Sequence, residues 1–121
     1  MGKKVRGGRL HGFRLRGRIW IEGPDGTFLG YGRVVLLERI RDYGSISAAA
    51  RSMSMSYRHA WRLVESMNRQ GRYPVVEKRT GGRGGGGAVL TETGRHAIDS
   101  FWKAYHEFRE YLLERSAHLD L

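Results

Sequence analysis

Six of the eight residues from Thr80 to Gly87 are glycine, and no packed element can be built from such a run. Ordering a glycine costs more backbone freedom than ordering any other residue, and glycines bring no side chain to compensate. The segment is therefore read as a loop. Val75-Val76-Glu77-Lys78-Arg79 before it reads as a strand, and Ala88-Val89-Leu90 after it reads as the return strand. The expectation is a hairpin over about residues 74–91 with a long glycine-rich tip.

Upstream of this hairpin the hydrophobic pattern is helical. Leu36, Leu37, Ile40 and Tyr43 follow one helix stripe from about Arg33, and Gly44 is placed to end it. A short second helix is expected with Ser47 as N-cap for Ala48-Ala49-Ala50-Arg51. Met53-Ser54-Met55 breaks it, with both methionines expected to be buried in the turn. Ser56 is the candidate N-cap of a third helix that runs to about Arg69. On a helical wheel Tyr57, Ala60, Val64 and Met67 share one face and Arg58, Arg62, Glu65 and Arg69 the opposite one. Two serine-capped helices joined by a tight turn, over about residues 46–69, make a helix-turn-helix pattern. Trp61, at the edge of the apolar face, is expected to pack rather than to stack on bases.

The two ends of the chain complete the pattern. Phe13, Leu15, Gly17, Ile19 and Ile21 alternate with polar or bulky neighbours, predicting a strand over 13–21. Gly23-Pro24-Asp25-Gly26 turns it back into Thr27-Phe28-Leu29. After the glycine-rich hairpin, Thr91 is a candidate N-cap for a helix over about 92–116. Its stripe is Ile98, Phe101, Trp102, Tyr105, Phe108 and Leu112.

Charge decides the class of partner. The chain of 121 residues has a formal net charge of +10. Residues 1–18 carry seven basic side chains and no acid, and residues 51–83 carry eight basic and two acidic. The rest is slightly acidic. Two cationic blocks of this kind point to a polyanion, with nucleic acid first. Tyr57, Arg58, His59 and Arg62 lie near the exposed start of the third helix, where side chains reach base edges in the major groove. An arginine fork there matches guanine O6 and N7. Lys78, Arg79, Thr80, Gly82, Arg83 and Gly84 lie on or beside the glycine-rich tip, where bare backbone can approach phosphates. Ser47 and Ser56 complete the expected DNA-binding set.

Other chemistries are poorly supported. There is no cysteine, hence no thiol nucleophile and no Cys-based zinc site. His11, His59, His96, His106 and His118 show no ligand spacing. The glycine run meets the G-x-G-x-x-G pattern trivially, but it leads into a strand where a dinucleotide fingerprint needs a helix. No apolar run is long enough for a membrane span. The start of the chain has no secretory h-region, and Arg6 stands where myristoylation needs Ser or Thr. No enzyme activity, no cofactor, no metal and no membrane partner are expected, and the expected compartment is the cytoplasm.

These residues carry a family resemblance. Gly44-Ser45-Ile46-Ser47, Ser56-Tyr57, Ala60-Trp61, Met67-Asn68, Val76-Glu77, the string from Thr80 to Thr91, and Gly94 are similar to the N-terminal domain of ModE-type molybdate-responsive transcriptional regulators. The helix-turn-helix half also resembles LysR-type regulators. Together the likeness covers about residues 33–116. It implies a mainly α, α+β winged helix-turn-helix with an N-terminal β-hairpin. It also implies a homodimer paired through the long last helix, with Ile98, Phe101, Trp102, Tyr105, Phe108 and Leu112 as dimerisation residues. Full-length members sense molybdate or tungstate in a C-terminal oxyanion-binding module. This sequence ends at Leu121 without one, so oxyanion sensing is not carried over. The expectation is a stand-alone regulator, either unregulated by ligand or controlled through a separate ligand-sensing protein partner.

The expected organisation is a basic arm over 1–12 and a winged helix-turn-helix domain over 13–121. The expected function is a sequence-specific, dimeric transcriptional regulator that binds double-stranded DNA. The rival readings are a non-specific architectural nucleic-acid-binding protein acting through charge, and a membrane-surface or protein-interaction module using the polybasic arm.

Overall fold

The computed structural model describes residues 12–80 and 86–121. The arm expected over 1–12 lies almost wholly outside the described residues, as do Gly82, Arg83 and Gly84 of the glycine-rich tip. The chain divides into two compact units, one spanning Trp20–Phe101 and the other pairing the stretch up to Ile19 with Trp102–Leu121.

The larger unit opens on a hairpin, β1 (Ile21–Gly23) and β2 (Gly26–Leu29), antiparallel with Ile21 opposite Leu29 and Gly23 opposite Gly26. The strand predicted over 13–21 is thus realised only at its last residue. Alternation gives residues 13–20 the propensity, but a strand also needs a partner for its N–H and C=O groups. The four-residue β2 reaches no further than Ile21.

Helix α1 (Tyr31–Tyr43) follows, starting two residues before the expected Arg33. Val34, Leu36, Leu37 and Ile40 are buried on its inner face. Tyr43, read as part of that stripe, is instead exposed in the last turn beside Ala48, Arg51 and Ser52. Gly44 ends the helix as expected, in the left-handed conformation at φ 79°, which costs an L side chain about 1–2 kcal/mol. Its N–H donates to the Ile40 carbonyl (2.9 Å).

Two further helices follow: α2 (Ile46–Ser52), which packs on α1, and α3 (Tyr57–Gln70), which packs on α2. Ala49, Ala50 and Ala60 are fully buried, and their small side chains let the helices approach closely. Val64 and Met67 continue the buried face of α3. Tyr57 leaves that face and is 50% exposed, because no element covers the first turn.

Strands β3 (Val76–Arg79) and β4 (Gly87–Leu90) pair antiparallel, Val76 opposite Leu90 and Arg79 opposite Gly87. They flank the glycine-rich tip, so the molecule is a winged helix-turn-helix. Helix α4 (Glu92–Ala117) starts at the expected cap: the Thr91 hydroxyl accepts from the Gly94 N–H (3.0 Å) and donates to the Pro74 carbonyl (2.7 Å).

In the smaller unit the extended segment lies along α4, with the Leu15 N–H donating to the buried Ser116 hydroxyl (2.8 Å). Trp102 meets Tyr105 edge-on at 5.1 Å and stacks on His106 at 6.0 Å. Arg109 lies 6.0 Å from the centre of the Tyr105 ring.

Candidate nucleic-acid interface

The interface is built on two helix starts and a turn. At α2 the cap is Ser45, not the expected Ser47: the Ser45 hydroxyl accepts from the Ala48 N–H (3.0 Å). Burial of Ile46 in the first turn places the boundary two residues earlier and leaves Ser47 exposed, free to face a ligand. At α3 the expected cap is present, with Ser56 accepting from the His59 N–H (3.0 Å). Between them the chain turns on the Ala50 carbonyl, which accepts from both Met53 and Met55 N–H (3.0 Å each). Ser54 takes a left-handed φ of 55° at the apex. Met53 and Met55, expected to be buried, are only half-buried because the turn sits at the surface.

Around these starts the structure brings predicted residues from three elements together. Ser47 of α2, Tyr57 of α3 and Lys78, Arg79 and Thr80 of the wing share one cleft of about 250 Å³, floored by Ile46 and Ala88. Arg58 and Arg62 line a second hollow of about 390 Å³ with Tyr57 and Trp61. His59 is exposed on the same turn but lines neither, and Ser56 is occupied in capping. Of the six residues expected at the dimer contact, Ile98 and Phe101 are buried within the chain, while Trp102, Tyr105, Phe108 and Leu112 are half-buried.

The candidate surface carries four cations with no carboxylate partner among the described residues. Arg58, Arg62, Lys78 and Arg79 are exposed and make no ion pair among the described residues. Four other cations are matched: Arg41 to Asp42 (2.9 Å), Arg69 to Asp25 (3.3 Å), Arg95 to Glu92 (2.7 Å) and Lys103 to Glu107 (3.2 Å), while Arg14, Arg16, Arg18, Arg51 and Arg72 are exposed and also make no ion pair among the described residues. The first and third pairings hold the Asp42 and Glu92 carboxyls below their usual range, chiefly through the arginine hydrogen bond. Cations left without a carboxylate are the ones available to phosphate.

Several residues that hold this surface escaped the sequence reading. The Asn68 side chain accepts from the N–H groups of Val75 (2.8 Å) and Val76 (3.2 Å) and donates to the Val76 carbonyl (3.0 Å). It ties the wing to α3. Gln70 donates to the Thr27 carbonyl (2.9 Å) and accepts from the Asp25 N–H (3.1 Å), while Arg33 reaches Thr27 (2.8 Å) and Ser66 (3.1 Å). Partial burial holds the Arg33 guanidinium below its ordinary pKa. Only spatial proximity reveals these links, although Asn68 already stood in the family motif. Among the described residues there is no cluster of three or more His, Cys, Asp or Glu suited to a metal, and no helix long and apolar enough to cross a membrane.

Comparison with known sequences agrees with this geometry. The sequence profile described as "Bacterial regulatory helix-turn-helix protein, lysR family" matches residues 32–95, from α1 through the first turn of α4. The molybdenum transport protein ModE of Azotobacter vinelandii is 35% identical over 107 residues, 88% of this chain and 40% of that protein. The molybdenum-pterin-binding protein MopB of Rhodobacter capsulatus is 47% identical over 76 residues, 63% of this chain and 28% of that protein. The DNA-binding transcriptional dual regulator ModE of Escherichia coli (strain K12) is 44% identical over 69 residues, 57% of this chain and 26% of that protein. The chain thus spans between about a quarter and two fifths of the length of these relatives.

Proposed function

We propose that this chain, which belongs to the lysR family of bacterial regulatory helix-turn-helix proteins, is a sequence-specific transcriptional regulator that binds duplex DNA as a homodimer. The observation that carries the reading is the set of unmatched cations, Arg58, Arg62, Lys78 and Arg79, gathered beside two capped helix starts. Helix α3 enters the major groove. Tyr57, Arg58, His59 and Arg62 read base edges, with Ser47 and Ser56 beside them. Lys78, Arg79, Thr80, Gly82, Arg83 and Gly84 hold the wing on the phosphate backbone, and the basic arm over 1–12 adds sequence-independent contacts. The winged domain runs from 13 to 121, and the stripe from Ile98 to Leu112 on α4 pairs two copies. Relatives named as ModE transcriptional regulators support the reading over the shared region.

The test is selection of bound sequences from random duplex DNA, followed by affinity measurement across a salt series. A specific dimeric regulator enriches a near-palindrome with half-sites about one helical turn apart, or a multiple of that. With about six phosphates neutralised, log affinity falls with log salt at a slope near −5. Equal affinity for enriched and random duplexes, with the same slope, gives the architectural reading instead. Running the selection with and without molybdate reports whether the molybdenum in two relatives' names bears on this chain.

A further inference from the structure

Trp61 is the one large side chain beside the unmatched arginines of α3 that the proposed contact set leaves without a task. It follows the fully buried Ala60 and precedes the exposed Arg62, so it stands at the border of core and surface. It is half-buried, and its indole N–H has no hydrogen-bond partner among the described residues. Its ring lines the hollow of about 390 Å³ together with Tyr57, Arg58 and Arg62. The spacing makes two parallel rows. Tyr57 and Trp61 are four residues apart and form an aromatic row; Arg58 and Arg62 form a cationic row alongside it.

A hollow with aromatic and cationic walls selects its occupant. The arginines demand an anionic or acceptor-rich partner, and the aromatic row demands an apolar group standing beside those acceptors. In the major groove of duplex DNA one group meets both demands: the 5-methyl of thymine, next to the O6 and N7 acceptors of a neighbouring guanine. We infer that Trp61 is a specificity-determining residue, its ring covering a thymine methyl beside a guanine held by the Arg58–Arg62 row. The inference rests on the duplex-reading role proposed above and adds a base to it. Each half-site should contain a T·A pair adjacent to a G·C pair, and the thymine should be recognised through its methyl group.

Replacing thymine by deoxyuracil removes only that methyl. In the selected site, a single dT-to-dU change at the predicted position should weaken wild-type binding about fourfold per half-site, the value for removing one methyl from a buried contact. Trp61→Phe keeps an aromatic ring and should keep most of the dT-over-dU ratio. Trp61→Ala should bring the ratio to one. Because the ratio compares two duplexes with one protein, a general loss of affinity cancels. As a readout that needs no variant, 5-iodouracil at the same position should photo-cross-link to Trp61 of the wild-type chain, located by mass spectrometry. A selected site lacking thymine beside guanine, a dT-to-dU change without effect, a ratio that survives Trp61→Ala, or a cross-link only elsewhere would each overturn the inference while leaving sequence-specific binding intact. Failure to enrich any site overturns the regulator reading itself.

Discussion

From Tyr57 to Arg62, α3 offers solvent four side chains, Tyr57, Arg58, His59 and Arg62, whereas from Val64 to Gln70 the same helix is held from several sides. In the second stretch Val64 and Met67 are buried, Asn68 holds β3, Arg69 and Gln70 hold the β1–β2 hairpin and its turn, and the Ser66 hydroxyl accepts from Arg33 of α1 and from Gln70. One rigid element therefore has a held end and an offered end. The contrast teaches where precision comes from. A base-reading side chain must be placed within a fraction of an ångström, and a helix anchored two turns away does this without using the reading residues for support.

The contrast can be broken from either end. The largest effect is expected from Asn68→Ala. It strips the buried N–H groups of Val75 and Val76 of their acceptor and should cost roughly 2–4 kcal/mol of stability in urea unfolding. Arg58→Ala should do the reverse. Specific DNA affinity falls by about 1–3 kcal/mol with relaxed base preference, while the unfolding midpoint stays where it was. A fall in stability of the same size would show that the offered end also bears structure. Next come the caps: Ser45→Ala and Ser56→Ala should each cost about 1 kcal/mol, and Ser47→Ala should leave the midpoint unchanged. The smallest change is a gain. Ser54→Gly relieves a left-handed serine at the turn and should stabilise by roughly 0.5 kcal/mol, once the extra freedom of glycine in the unfolded chain is counted.

What could be read in advance followed the range of the interaction. Ser56, Thr91 and Gly44 were legible because a cap closes over three or four residues and leaves its mark in one short string. Ser45 and Ser47 precede the same alanine run, and only the burial of Ile46 decides between them. The strand over 13–20 failed for lack of a partner, which no local period reports. The wing and the basic face of α3 were visible as charge and glycine. The network of Asp25, Arg33, Ser66 and Gln70 was not, because its members lie up to 45 residues apart in sequence. Trp61, expected to pack, is half-buried at the border of core and surface, where a helical wheel alone does not separate the two roles.

Gly44 carries a dynamic consequence. Its N–H closes the last turn of α1 on Ile40, and its carbonyl accepts from Ala88 of β4 (2.9 Å), so close that a Cβ at Gly87 would stand 2.7 Å from that oxygen. One residue is thus both the end of a helix and the seat of the wing. Fraying of α1 and detachment of β4 are therefore expected to be coupled in one opening. The amide hydrogens of Gly44 and Ala88 should exchange with deuterium at matched protection factors. DNA that presses on the wing should slow both, including the one that belongs to α1.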